Sequence, residues 1–274
     1  MCPANRAREA RVQPRTLHGM QAQAGCMTDS TRASDQSSSP SDPTRDSTGT
    51  DAPTTAVFFD IDGTLVDSNY AHVDAWSKAF ADIGHPVDSW RIHRSIGQDS
   101  SLLLSSLLGD DVAEARGDEA KERHSAHYLP HGDADLHVFD RATELLAELG
   151  RRGHRVVLAT SAPEEELEVL RRLLDVEGAL WAVTSAEDAE TAKPDPGIVQ
   201  AALDEAGVDP EHAVMVGDAV WDVEAAGRAG VTCIGVLTGG MSRGELEEAG
   251  AAQVVDDVAA LLAGLDDSLI TRLG

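Results

Sequence analysis

From Thr54 onward, short apolar runs alternate with stretches of helical period. The runs at 56–59, 155–159, 180–184, 213–216, 231–236 and 253–255 predict strands. Amphipathic stretches at 141–152, 164–174, 198–206 and 220–229 predict the helices between them. Such alternation points to an α/β fold, a Rossmann-like parallel sheet with helices on both faces. The pattern breaks once, between Asp67 and Asp135. There the periodicity predicts helices at 70–83, 90–96, 100–108 and 112–128 and no strand, so a helical cap is expected as an insertion after the first strand. The expected organisation is a disordered tail over 1–53, an α/β core from 54–66 and 136–274, and a helical cap over 67–135. Residues 1–53 are rich in Ser, Thr, Asp, Arg, Ala and Pro, without apolar periodicity or an apolar stretch of the signal-peptide kind.

Charge narrows the function. Over 274 residues, 22 basic side chains face 48 acidic ones, a formal net charge of −26. Six of each lie in 1–53, which leaves 16 against 42 on the remainder. A surface so acidic repels phosphate backbones, so no nucleic-acid partner is expected. No apolar run approaches the ~18 residues of a membrane span, so no membrane partner is expected either. Three widely spaced cysteines make no disulfide framework, and the expectation is a cytoplasmic protein. Oligomeric state is not legible.

Four clusters carry chemistry, each at the end of a predicted strand or in a loop after one. Asp60-Ile61-Asp62-Gly63-Thr64 follows the first strand. Paired carboxylates at a strand's carboxyl end suit a hard cation such as Mg²⁺, or a division into nucleophile and acid/base. The bland alternative is a polar turn. Thr160 and Ser161 end the strand after the insertion, where a hydroxyl donates to a phosphate oxygen or caps a helix. Lys193 precedes Pro194-Asp195-Pro196, with Asp195 a candidate cap for the helix opening at Pro196. Asp218 and Asp222 lie four residues apart at the next strand end, as site carboxylates or as charge favouring a helix N-terminus. A parallel sheet gathers these ends along one edge. So many carboxylates beside one lysine are costly unless a metal sits among them, and a metal with Lys193 would attract a phosphate dianion.

In these motifs, DIDGTLVDS, ATS, KPDP and GDAVWD, the chain resembles the haloacid dehalogenase-like hydrolase superfamily. The resemblance implies an Mg²⁺-dependent phosphatase for a small phosphorylated metabolite. Asp60 would be the nucleophile that forms an aspartyl-phosphate, and Asp62 the acid/base. Thr160, with Ser161 beside it, would bind phosphate and Lys193 would neutralise charge. Mg²⁺ would be held by Asp60, Asp218 and the carbonyl of Asp62, with Asp222 orienting that shell. Ala219 departs from the Ser that often follows Gly-Asp in these proteins. The cap resembles the phosphoglycolate phosphatase and β-phosphoglucomutase branch. It places His72 where sugar mutases carry a cap histidine, and Gln98 where they carry a phosphate-gripping arginine. Gln98 favours hydrolysis, although Arg94 nearby is a candidate substitute. The alternatives are a sugar-phosphate mutase and a non-catalytic phosphate-binding protein. His124, His127 and His131 read as polar cap surface, residues 238–241 as a turn after a strand, and Cys233 as core.

Overall fold

The computed structural model describes residues 53–131, 135–176, 178–185, 188, 191 and 193–273. All but the last residue of the expected tail therefore lie outside the described residues. Six parallel strands form the main sheet: β1 (Ala56–Phe59), β4 (Arg155–Ala159), β5 (Ala182–Thr184), β6 (Ala213–Gly217), β7 (Thr232–Val236) and β8 (Gln253–Val255). Their order is β5-β4-β1-β6-β7-β8. The sheet is buried on both faces because its central strands are apolar at every position. Val57 and Phe59 of β1 pack with Val156, Leu158, Val214 and Val216 on one side. Ala56 and Phe58 pack with Val157, Ala159, Ala213 and Met215 on the other.

Helices cover both faces. The first face takes leucines of α5 (Ala142–Arg151) and α6 (Glu164–Leu174) and Val258 and Leu261 of α10 (Val258–Ala263). The second takes α7 (Gly197–Ala206), α8 (Val220–Arg228) and Leu246 of α9 (Arg243–Ala249). Strand β1 pairs with β4 at Phe59↔Leu158 and with β6 at Phe59↔Val216. From β1 the chain runs outward through β4 to β5 and then crosses back to β6 on the other side of β1, so the topological switch point lies at the carboxyl end of β1, where open α/β sheets bind ligands.

Between Asp67 and His137 the described residues hold four helices in succession: α1 (Asn69–Asp82), α2 (Ser89–Ser95), α3 (Ser100–Leu108) and α4 (Asp110–Tyr128). They enclose an apolar cluster of their own, with Trp76, Phe80, Ile92, Leu103 and Leu104 buried. The chain enters and leaves this layer through a short antiparallel ribbon, β2 (Val66–Asp67) against β3 (His137–Val138). The ribbon flanks the stretch read as strand-free, which beyond Asp67 itself holds no strand among the described residues; the ribbon went unread because two residues are too few to show a period. Strand β5 starts at Ala182 rather than 180. Asp195 does not cap α7: the cap position is Pro196, and the Asp195 carboxylate pairs with Arg228 at 3.3 Å.

Candidate active site

The carboxyl ends of β1, β4 and β6 deliver Asp60, Thr160 and Asp218 to one place. Asp60 is fixed by its backbone, whose N–H donates to Val216 O of β6 at 3.0 Å. The chain then turns at Gly63, which adopts a left-handed φ of 75°. A Cβ there would sit 2.5 Å from Asp218 Oδ2, and one on Gly239 only 1.5 Å from the same oxygen. Two glycines thus let backbone close around the Asp218 carboxylate. Thr64 Oγ1 donates to Asp218 Oδ1 at 3.0 Å, and Asn69 Nδ2 to Oδ2 at 3.1 Å.

Lys193 is 1% exposed and lies beneath the carboxylates. Its ammonium donates to Asp60 Oδ1 and lies 2.7 Å from Asp222 Oδ1. The other oxygen of Asp222 accepts the Ala219 N–H at 3.0 Å, so Asp222 closes the first turn of α8 and braces Lys193 together. Ala219, where a serine is common, contributes through its main chain.

Burial and crowding of like charges set the electrostatics. The Asp60 carboxyl is pushed well above its ordinary value, first by burial and then by Asp222, Asp218 and Asp62, while Lys193 pulls the other way. Asp218 is pushed up to about 7 by burial and by Asp222, against the hydrogen bonds from Asn69 and Thr64. For Lys193 burial disfavours the ammonium, but Asp222 and Asp60 outweigh it and hold its pKa above the ordinary lysine value.

Oxygens of Asp60, Asp218 and Asp222 lie within 4.8 Å of one another in this buried cluster, with the Lys193 ammonium against two of them. That donor set fits a hard divalent cation: it is all oxygen, and it carries more negative charge than one ammonium offsets.

Asp62 faces the opposite environment. Its Oδ1 accepts from Ser68 Oγ at 2.5 Å and lies 3.2 Å from His72 Nε2. Burial alone would raise its pKa, but His72 and the two hydrogen bonds outweigh burial and hold the carboxyl low. The contact continues into the helical layer. His72 Nδ1 lies 3.1 Å from His124 Nε2, and His124 Nδ1 lies 3.4 Å from Glu166 Oε1. Ser125 Oγ donates to the same Glu166 oxygen at 3.1 Å. His72, His124, Trp76 and Tyr128 stack as a block of rings. His124 is therefore no part of a polar surface, because its ring is buried in the stack and both nitrogens are engaged. His127 and His131 do lie nearer the surface, on Asp82 and on Asp74 with Asp135.

Above Asp60 and Asp62 opens a cavity of about 680 Å³. It is lined on the sheet side by Thr160 and Ser161 and on the helical side by His72, Trp76 and Gln98. The Thr160 hydroxyl accepts the Ala162 N–H at 3.1 Å, which leaves its own proton to donate. Ser161 Oγ is buried without a protein partner, so it too is free to meet a ligand oxygen. Of the candidate site residues, Asp60, Asp62, His72, Gln98, Thr160 and Ser161 line this cavity, while Lys193, Asp218 and Asp222 cluster around Asp60. Sequence reasoning missed Thr64, Asn69, Gly239, His124 and Glu166. Arg94 does not reach the cavity, being engaged by Glu245 and Met241.

The model of the haloacid dehalogenase-like hydrolase family matches residues 54–230. The phosphoglycolate phosphatase of Rhodospirillum rubrum is 35% identical over 214 residues, covering 75% of this chain and 88% of the relative. The 5'-nucleotidase of Pseudomonas aeruginosa is 32% identical over 206 residues, covering 75% and 92%. Among solved structures, a hydrolase from Pseudomonas syringae superposes with a TM-score of 0.74 at 34% identity, covering 78% of this chain and 99% of that one.

Proposed function

The chain belongs to the haloacid dehalogenase-like hydrolase family, and from that premise we propose that it is a phosphatase that hydrolyses a small phosphorylated metabolite through a phosphoryl group carried on Asp60. The observation that carries this reading is geometric: Asp60 and Asp62 stand side by side at the floor of one cavity, Asp60 gripped by Lys193 and Asp62 by Ser68 and His72.

Thr160 and Ser161 offer hydroxyl donors to the phosphate oxygens. Lys193 holds one Asp60 oxygen and so aims the other at phosphorus. A bond forms between Asp60 and phosphorus as the bond to the leaving oxygen breaks, and the leaving oxygen takes its electron pair together with the proton that the Asp62–His72 pair holds, delivered through Asp62. Asp62, now ionised, then takes a proton from water as that water attacks phosphorus. The bond to Asp60 breaks and its electron pair returns to the carboxylate. Ser68 and His72 favour the ionised form of Asp62 that this second half requires. Asp60, Asp218 and the Asp62 carbonyl are the groups that would hold Mg²⁺, with Asp222 positioned behind them. When bound, Mg²⁺ supplies neutralisation of the phosphate charge.

Mutase chemistry asks for a cation to hold a second phosphate while water is kept away. Gln98 lines the cavity instead; among the described residues no arginine does, and the lysine of the lining, Lys121, donates to Ser101 Oγ. That supports hydrolysis. A non-catalytic phosphate binder would need no acid/base group, yet Asp62 is held with two hydrogen-bond partners at the cavity floor. No helix among the described residues is long and apolar enough to cross a membrane.

The test is release of inorganic phosphate from p-nitrophenyl phosphate by the purified chain. Activity should vanish after chelation and return with Mg²⁺. No release at any divalent-ion concentration would overturn the reading.

A further inference from the structure

The cavity is far larger than a phosphate group, and its outer wall is acidic. We infer, resting on the phosphatase reading above, that the substrate is a phosphate monoester whose organic part is ring-sized and carries no second anionic group. At about 30 Å³ per water, the 680 Å³ space holds roughly twenty waters. It falls within the ~300–1,000 Å³ of sites that enclose whole small molecules. A two-carbon phosphorylated acid would occupy a minor part of it and leave the rest wet.

The walls beyond the phosphate end suit a ring. Trp76, Ile96, Leu103 and Leu129 supply apolar surface, and Gln98, Ser100 and Ser125 supply neutral hydrogen-bonding groups. The charged lining is one-sided: Asp99, Glu122, Glu165 and Glu166 against Lys121. Lys121 already donates to Ser101 Oγ at 3.0 Å. Asp99 accepts the N–H groups of Ser101 and Leu102, and Glu166 accepts from Ser125, so both are built into the wall as carboxylates. A carboxylate on the substrate would meet this surplus of negative charge without a guanidinium fork to receive it. Neutral hydroxyls or an amine would meet acceptors instead.

The experiment uses the full chain with Mg²⁺ and a matched pair of probes, glucose 1-phosphate and glucuronic acid 1-phosphate. The two share the ring and the phosphate and differ by one carboxylate. Phosphoglycolate is the third probe and p-nitrophenyl phosphate sets the baseline. The expected result is a kcat/KM at least tenfold higher for glucose 1-phosphate than for either acid. A probe that is not turned over is read by its inhibition constant against p-nitrophenyl phosphate, with the same ranking expected. In the double variant Glu122→Gln, Glu165→Gln the gap within the matched pair should shrink at least threefold. Parity or preference for either acid, or a gap the double variant leaves unchanged, overturns the inference while the baseline hydrolysis keeps the phosphatase reading intact. Loss of the baseline itself overturns both.

Discussion

At the scale of single residues, Lys193 has the most to hold. It is one ammonium between two buried carboxylates, Asp60 and Asp222. Removing one partner of a buried ion pair leaves uncompensated charge and costs about 3–5 kcal/mol. Lys193→Ala should therefore lower the unfolding midpoint strongly and cut turnover at least a hundredfold, by urea titration and phosphate release. Lys193→Arg should not restore turnover, since a planar guanidinium does not fit a slot shaped for an ammonium. Glu166 is the second residue to probe. Glu166→Ala strips the acceptor from His124 and Ser125 in a buried setting, a loss of about 1–3 kcal/mol. Glu166→Gln keeps an acceptor oxygen and should lose less. Equal stability of the wild type and both variants in urea would refute this role.

At the scale of elements, what matters is how closely the backbone approaches Asp218. The turn holding Gly239 passes so near that a single methyl collides with the carboxylate. Gly239→Ala should reduce turnover at least tenfold and raise the Mg²⁺ concentration needed for half-maximal activity. Wild-type Mg²⁺ dependence in that variant would contradict the placement. The sequence made the main strands legible because their residues are apolar on both faces, a signal that only a covered parallel sheet explains. It made Asp60, Thr160 and Asp218 legible because each directly follows such a run, Asp62 and Asp222 because they lie a few positions further on, and Lys193 because it is a rare lysine fixed before Pro194-Asp195-Pro196. The ribbon β2–β3 escaped because two residues carry no period. Thr64 and Asn69 escaped because their role comes from a carboxylate 154 and 149 positions away. His124 escaped because helical spacing cannot say which face of α4 meets α1, and Glu166 because its neighbours Glu164 and Glu165 are exposed acids at a helix start.

At the scale of the whole molecule, the carboxylate cluster couples stability to pH and to metal. Asp218 is pushed up to about 7, from an ordinary value of 3.8. Between those values the folded state binds more protons at this group than the unfolded chain does. The stability it contributes is present at low pH and lost as pH rises through the window. Metal-free protein should therefore lose stability from pH 5.5 to pH 8 more steeply than Asp218→Asn does. The difference between the two slopes isolates this carboxyl from His124, which burial holds low and which acts in the opposite direction. Mg²⁺ should stabilise the wild type more at pH 8 than at pH 5.5, since protons no longer compete for the oxygens. Equal slopes in urea melts of the two proteins would rule this linkage out.

The central claim is that Asp60 carries the phosphoryl group and Asp62 serves the water that removes it. An aryl leaving group departs without a proton, so Asp62→Asn should still permit transfer to Asp60 while starving the hydrolytic half. The decisive measurement is a rapid acid quench of Asp62→Asn with p-nitrophenyl phosphate and Mg²⁺, followed by mass mapping of the peptides. The account predicts a burst of nitrophenol and a phosphoryl group on the peptide bearing Asp60, absent in Asp60→Asn. A burst with the phosphoryl group on another residue, or steady turnover by Asp60→Asn within tenfold of wild type, would contradict it.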